Sequence, residues 1–253
     1  MNNYQLSKPY LIIVGASGFL GTKLSTHLMK NYQLVLFYNN HKINELLEEP
    51  SHNHEIIKVD ITDYEQVKKV FCELNEKRIF INNMVFCASS KINRRNIIEK
   101  DNRDWNNTID VNIKGLFYCT KEFLKQVDFE EMSRIIILSS SSAFGGMPYL
   151  SDYAAAKAAQ IGMAKSLAME YGDKNVLINV IAPGLISENE RDIDINDPVI
   201  KERISKSPLK RLTNLNDIIN IINYFLGLET NSLTGQVITL DSGNDLRYRY
   251  LLD

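Results

Sequence analysis

Short apolar runs alternate with longer stretches of helical periodicity along this chain. Residues 11–14, 34–38, 56–59, 84–88, 135–138, 177–181 and 237–240 are almost unbrokenly hydrophobic, the pattern of strands covered on both faces. Between them, residues 19–30, 64–74, 105–123, 153–171 and 215–226 repeat apolar side chains at intervals of three and four, which predicts helices. Strands separated by helices of ten residues or more imply βαβ units and a parallel sheet. With no linker, repeat or low-complexity segment, the pattern predicts one α/β domain over residues 1–253, a doubly wound Rossmann domain whose parallel sheet is flanked by helices. Residues 186–209 read as polar, acid-rich and irregular. Loops at the carboxyl ends of strands build the ligand site in such a domain, so this stretch is the expected substrate loop, with 188–197 as a solvated face.

Composition and charge narrow the function. A formal net charge of -2 and a pI of about 6.1 call for neither nucleic acid nor an anionic membrane as partner. Cys72, Cys87 and Cys119 form no CxxC pair, and His27, His41, His52 and His54 have no metal-ligand spacing. The cysteines are therefore expected to be small buried hydrophobes and the histidines surface residues, with no metal. No apolar run approaches the roughly 20 residues that span a bilayer, and no secretory pattern opens the chain. The expectation is a cytoplasmic protein with no membrane partner.

Candidate chemistry begins at the first strand–helix junction. Gly15, Ser17, Gly18, Phe19, Leu20 and Gly21 lie in a glycine-rich turn between the first predicted strand and helix. Glycines there let backbone approach a pyrophosphate, and the helix start offers free N–H groups and the positive end of its dipole. An acid at the end of the second strand usually holds a ribose 2′-hydroxyl. Asn39 and Asn40 stand there instead, with Lys42 close by, so NADP(H) is favoured over NAD(H).

Tyr153 and Lys157 are four apart and share one helix face. A pair of this kind is common by chance. Ser140, just beyond the fifth strand, and Asn112, in the preceding helical segment, fall on the same side as the glycine turn. With these residues together the chain resembles a classical short-chain dehydrogenase/reductase over nearly its whole length. Tyr153-Ala154-Ala155-Ala156-Lys157 is similar to that family's YxxxK segment, and Ser140 lies thirteen residues before Tyr153, the family spacing of its serine. Trp105 and Asn112 resemble its W…N segment, Asp60-Ile61 its adenine-contacting pair, and Pro183-Gly184-Leu185-Ile186 its PG segment beside the nicotinamide. Residues 208–212 and 233–237 resemble two further segments, nearest to reductases of 3-oxoacyl thioesters on acyl carrier protein. There are departures. The family's NNAG stands here as Phe86-Cys87-Ala88-Ser89, and Asn82-Asn83 are read as lying ahead of that strand. The glycine turn reads GxxGxxG.

The resemblance implies catalysis by Tyr153, Lys157, Ser140 and Asn112, and cofactor contacts from the glycine turn, Asn39, Asn40, Asp60, Ile61, Ala88, Ser89, Pro183, Gly184 and Ile186, joined by Tyr153 and by Lys157, which would reach the nicotinamide ribose hydroxyls. Tyr153 would be the acid–base group and Ser140 would hold the substrate oxygen. Asn112 would position a water linking Lys157 to solvent. A lysine ammonium about 4 Å away at an effective dielectric near 20 gives about 4 kcal/mol, enough to bring a tyrosine from about 10 toward neutrality. The implied reaction interconverts a ketone and a secondary alcohol of a small molecule. Alternatives are a keto-sugar reductase of glycan biosynthesis, a nucleotide-sugar epimerase or dehydratase, and a non-catalytic NADP sensor. The family further implies a homodimer or homotetramer, packed through the alanine-rich face of the helix that carries Tyr153.

Overall fold

The computed structural model describes residues 9–41, 54–187, 196–227, 229 and 231–249. Seven parallel strands form the central sheet: β1 (Tyr10–Val14), β2 (Gln33–Tyr38), β3 (Glu55–Lys58), β4 (Ile81–Phe86), β5 (Ser133–Leu138), β6 (Val176–Pro183) and β9 (Val237–Leu240). Their order, β3-β2-β1-β4-β5-β6-β9, reverses direction between β1 and β4, the crevice where doubly wound sheets bind ligands. The expected doubly wound Rossmann fold is present.

Strand alternation divides the core in two. Ile12, Val14, Val35, Phe37, Met84 and Phe86 face one way, onto α2 (Tyr64–Glu76), α4 (Gly115–Leu124) and α6 (Ser151–Tyr171). Leu11, Ile13, Leu34, Leu36 and Val85 face the other, onto α1 (Phe19–Leu28) and α8 (Leu215–Leu226). Each such side chain, fully removed from water, contributes about 1.5–3 kcal/mol. Several helices begin on side-chain caps. Asp63 accepts from Glu65 and Gln66 at α2, Asp101 from Arg103 at α3 (Asn102–Ile109), and Asn214 from Asn216 at α8. Helix α1 begins at Gly18 with no side-chain cap. Among the described residues, no helix is long and apolar enough to cross a membrane.

Four expectations are corrected. The helix predicted over 105–123 is three pieces: α3, a π turn at Asp110–Lys114, and α4. Its cause is local, because Asn112 Nδ2 donates back to the Thr108 carbonyl (2.9 Å) and competes with the regular ladder. Strand β4 starts earlier than predicted, so Asn82 and Asn83 lie inside it, where Asn83 pairs with Leu11 and Arg134. The register with β1 shifts there, from Tyr10 opposite Ile81 to Leu11 opposite Asn83, so Asn82 bulges out of the pairing and the polar side chains interrupt the apolar run. The stretch 186–209 is not irregular where it is described. β7 (Ile186–Ser187) pairs with β8 (Thr213–Asn214), and α7 (Pro198–Lys206) follows with proline at its first position. Residues 188–195 and Lys42 lie outside the described residues. Finally, Cys119 is buried and Cys87 partly so, but Cys72 is exposed on α2.

The turn after β1 has no spare volume. Gly15 has φ +90°, and a Cβ there would lie 2.5 Å from Ala88 Cα. A Cβ at Gly21 would lie 2.1 Å from the Gly15 carbonyl oxygen. Gly21→Ala is expected to lower stability by about 2–3 kcal/mol through this backbone clash, read as a lower urea midpoint. An unchanged midpoint would mean that the turn relaxes freely.

Candidate active site

Parallel strands place the ends of β1, β4, β5 and β6 along one edge of the sheet, and the predicted residues gather there. Ser140 follows β5. Its Oγ accepts from Ser142 N (3.2 Å) and Ser142 Oγ (3.0 Å), and it lies close enough to the Tyr153 hydroxyl to favour its ionised form. Ser140 and Tyr153 are thus brought together.

Lys157 lies one helical turn beyond Tyr153 and is 2% exposed. Its ammonium donates to the Leu138 carbonyl (2.8 Å) and to Gln160 Oε1 (3.2 Å). In return Ser139 Oγ donates to the Lys157 carbonyl (2.8 Å). Lys157 Nζ is 5.6 Å from the centroid of the Tyr153 ring. Burial dominates both groups. It pushes the Tyr153 hydroxyl above the usual tyrosine range, against the lowering effect of Ser140. It pushes Lys157 down to about 7, against the raising effect of Cys87. The expected tyrosine drawn toward neutrality by a neighbouring ammonium is not the arrangement found, because the lysine charge is turned toward β5 and Gln160.

Asn112, in the π turn, is fully buried. Its amide donates to Ser90 Oγ (3.2 Å) as well as to Thr108. It reaches Lys157 through Gln160, whose Nε2 donates to the Asn112 carbonyl (2.9 Å). A buried polar chain continues from Ser90 to Thr108 (3.2 Å), from Thr108 to Asp152 (3.1 Å) and from Lys100 to Asp152 (2.9 Å). Burial raises the Asp152 carboxyl, but hydrogen bonds from Lys100, the Tyr153 backbone N–H and Thr108 hold it below the usual range. Sequence reasoning missed Gln160, Ser90, Thr108, Asp152 and Lys100. One signal was available, since Gln160 is a lone amide among alanines on the Lys157 face of the helix.

The residues expected to hold the cofactor stand at the carboxyl ends of β1, β2, β3, β4 and β6. Gly15, Ser17 and Gly18 form the turn, and Phe19, Leu20 and Gly21 the uncapped first turn of α1, whose backbone N–H groups have no intrahelical partner. Ala88 packs on Gly15, and Ser89 is exposed beside it. Asn39 and Asn40 follow β2, and no acid stands at residues 38–41. Asp60 Oδ1 accepts from Thr62 N (2.9 Å) and Thr62 Oγ1 (2.7 Å), forming a turn. Ile61 is buried in the core, and a Cβ at Gly115 would lie 2.7 Å from it. Pro183 ends β6. Gly184 passes the Asp241 backbone with no room for a Cβ, and Ile186 opens β7. The uncapped helix start fits a dinucleotide pyrophosphate, and Gly15 and Gly21 let the turn pack close against Ala88 and itself. Next to Ser141 and Ser142 opens a cleft of about 750 Å³, which reaches Arg94, Met147, Leu185 and Asp241 but does not include Tyr153 in its walls.

Known proteins agree with this geometry. Residues 21–245 match the family model described as enoyl-(acyl carrier protein) reductase. The chain belongs to the short-chain dehydrogenase/reductase family and is an oxidoreductase. It is 29% identical over 244 residues to the 3-oxoacyl-[acyl-carrier-protein] reductase of Buchnera aphidicola, covering 94% of this chain and 97% of that one. It is 27% identical to the corresponding reductase of Rickettsia bellii, again over 94% and 97% of the two chains. Among solved structures it is similar to ElxO with NADP bound, with a TM-score of 0.84 and 26% identity over 94% of this chain and 98% of that one.

The burial of Lys157 gives stability a pH dependence of known sign. Its proton is lost near pH 7 when folded but is kept toward 10.5 when unfolded. The folded state therefore gains stability as pH rises between these values. Relative to Lys157→Met, the wild type is expected to gain up to about 1.4 kcal/mol per pH unit over part of that window. Urea unfolding at pH 7, 8 and 9 measures it, and a constant difference would show that Lys157 titrates as in water.

Proposed function

We propose that this oxidoreductase reduces a ketone to a secondary alcohol, with a 3-oxoacyl thioester on a carrier as substrate and NADPH as reductant. The observation that carries the reading is the convergence of Ser140 and Tyr153 beside a lysine whose ammonium is bonded to the end of β5. The dinucleotide supplies the hydride when bound. Tyr153 delivers a proton to the substrate oxygen, and Ser140 donates a hydrogen bond to that oxygen as negative charge develops there. Lys157, bonded to the end of β5 and 5.6 Å from the Tyr153 ring centroid, holds the helix turn that carries the tyrosine in place. Asn112 ties the π turn to this group through Gln160.

The backbone N–H groups of Ser17, Phe19 and Leu20 are assigned to the pyrophosphate. Asp60, Ile61, Ala88 and Ser89 are assigned to the adenosine side, and Pro183, Gly184 and Ile186 to the nicotinamide side. NADP(H) is preferred because Asn39 and Asn40 present no negative charge to a 2′-phosphate. The 3-oxoacyl substrate is supported by the curated relatives, both of which carry that activity in their names. A keto-sugar is the second reading, favoured by the charged residues Arg94, Asp197, Arg203, Lys206 and Asp241 around the cleft. We assign the exposed stripe of small residues on α6, Ala155, Ala158, Ala159 and Gly162, to a contact between copies of the chain.

NADPH and NADH oxidation with an acetoacetyl thioester and with a keto-sugar tests these assignments. The expected result is at least tenfold higher kcat/KM with NADPH, with Asn39→Asp shifting the ratio toward NADH. Tyr153→Phe is expected to lose about 10²–10⁴-fold in kcat. Wild-type rates in that variant would remove Tyr153 from the chemistry, and turnover of the keto-sugar alone would move the substrate to the second reading.

A further inference from the structure

Gln160 occupies the space between Lys157 and the π turn. It is 1% exposed, and both ends of its amide are used. Oε1 accepts from Lys157 Nζ (3.2 Å), and Nε2 donates to the Asn112 carbonyl (2.9 Å). These two bonds orient the amide. The Asn112 carbonyl can only accept, so Nε2 must face it and Oε1 must face the lysine. The orientation matters because an amide turned the other way would present N–H groups to Nζ and repel its proton.

We propose that Gln160 is a positioning residue of the active site, which holds Lys157 at the end of β5 and sets its charge state by offering it a fixed acceptor anchored on Asn112. This rests on the ketone-reductase reading only where activity is the readout. The other groups facing Lys157 leave this role to Gln160. β5 supplies the Leu138 carbonyl, a neutral acceptor. The turn after β4 supplies Cys87, whose thiol burial pushes up to about 12 and which donates its own proton to the Val14 carbonyl (3.2 Å). Tyr153 faces it from one turn earlier on α6, and its hydroxyl is pushed up by burial. The π turn contributes Asn112, which does not titrate. Asp152, the carboxylate nearest in sequence, is engaged by Lys100 and Thr108. Gln160 is therefore the side-chain acceptor that stabilises the charged lysine in a place where burial disfavours it.

Two substitutions move the charge state in opposite directions. Gln160→Leu removes the acceptor and Gln160→Glu replaces it with a near-isosteric anion. Lysine side-chain NMR on uniformly labelled protein, with the Lys157 signal assigned by its loss in Lys157→Met, reads the midpoint directly without substrate or cofactor. The expected order of Lys157 midpoints is Leu below Gln below Glu, with steps of about one unit. The pH profile of kcat with a ketone substrate is expected to shift in the same order. Midpoints that coincide, or that move the same way in both variants, would overturn the proposal, since a packing role alone moves stability and kcat without ordering the titration. If Gln160→Leu does not fold, Gln160→Glu decides alone: an unchanged or lowered midpoint overturns it. A wild type inert toward every ketone, with the midpoints still ordered, would remove the ketone-reductase reading and leave this one standing.

Discussion

Two reciprocal hydrogen bonds between β5 and α6 hold the site together. Lys157 Nζ donates to the Leu138 carbonyl, and Ser139 Oγ donates to the Lys157 carbonyl, both at 2.8 Å. They fix the height of α6 against the end of the strand, and with it the position of Tyr153 one turn earlier. Ser140, the next residue after the clamp, is then within reach of the tyrosine hydroxyl. A long helix packed on a sheet through small residues such as Ala156, Ala164 and Ala168 has little side-chain relief to set its register. Directional polar bonds supply what shape does not.

That clamp buries a charge, and a second charge pair is buried close by. Lys100 and Asp152 are almost without exposure. A buried pair of this kind contributes little net stability, since desolvation offsets attraction, but losing one partner is costly. Asp152 has further bonds from Thr108 and the Tyr153 backbone N–H, so the pair anchors the start of α6 to the segment before α3. The helix is thus held at two levels by polar contacts that tolerate few substitutions.

Much of this was legible in the sequence. The strands could be read because a parallel sheet covered on both faces needs continuous apolar runs, and the exception, Asn82-Asn83 in β4, is where polar side chains coincide with a shift of register against β1. The glycine turn, Ser140, Tyr153 and Lys157 could be placed because each follows a strand end or shares a helix face at a fixed spacing. The π turn could not, since it arises from one side-chain bond of Asn112 that competes with the helix ladder. The direction of the Lys157 ammonium was equally hidden. It depends on which acceptors lie in space around it, and Gln160 and Leu138 become neighbours only after folding. Helix α7 was obscured by charged residues that mask its periodicity.

Cys87 stands where the crevice meets the active site, next to Lys157, a position where a reactive sulfur would expose the site to oxidants and alkylating agents. Its thiol is pushed up to about 12 by burial and is bonded to the Val14 carbonyl. The thiolate is the form that electrophiles and peroxides attack, and here it is all but absent at neutral pH. The same water exclusion that lowers the basicity of the lysine thus keeps the neighbouring sulfur in its unreactive thiol form.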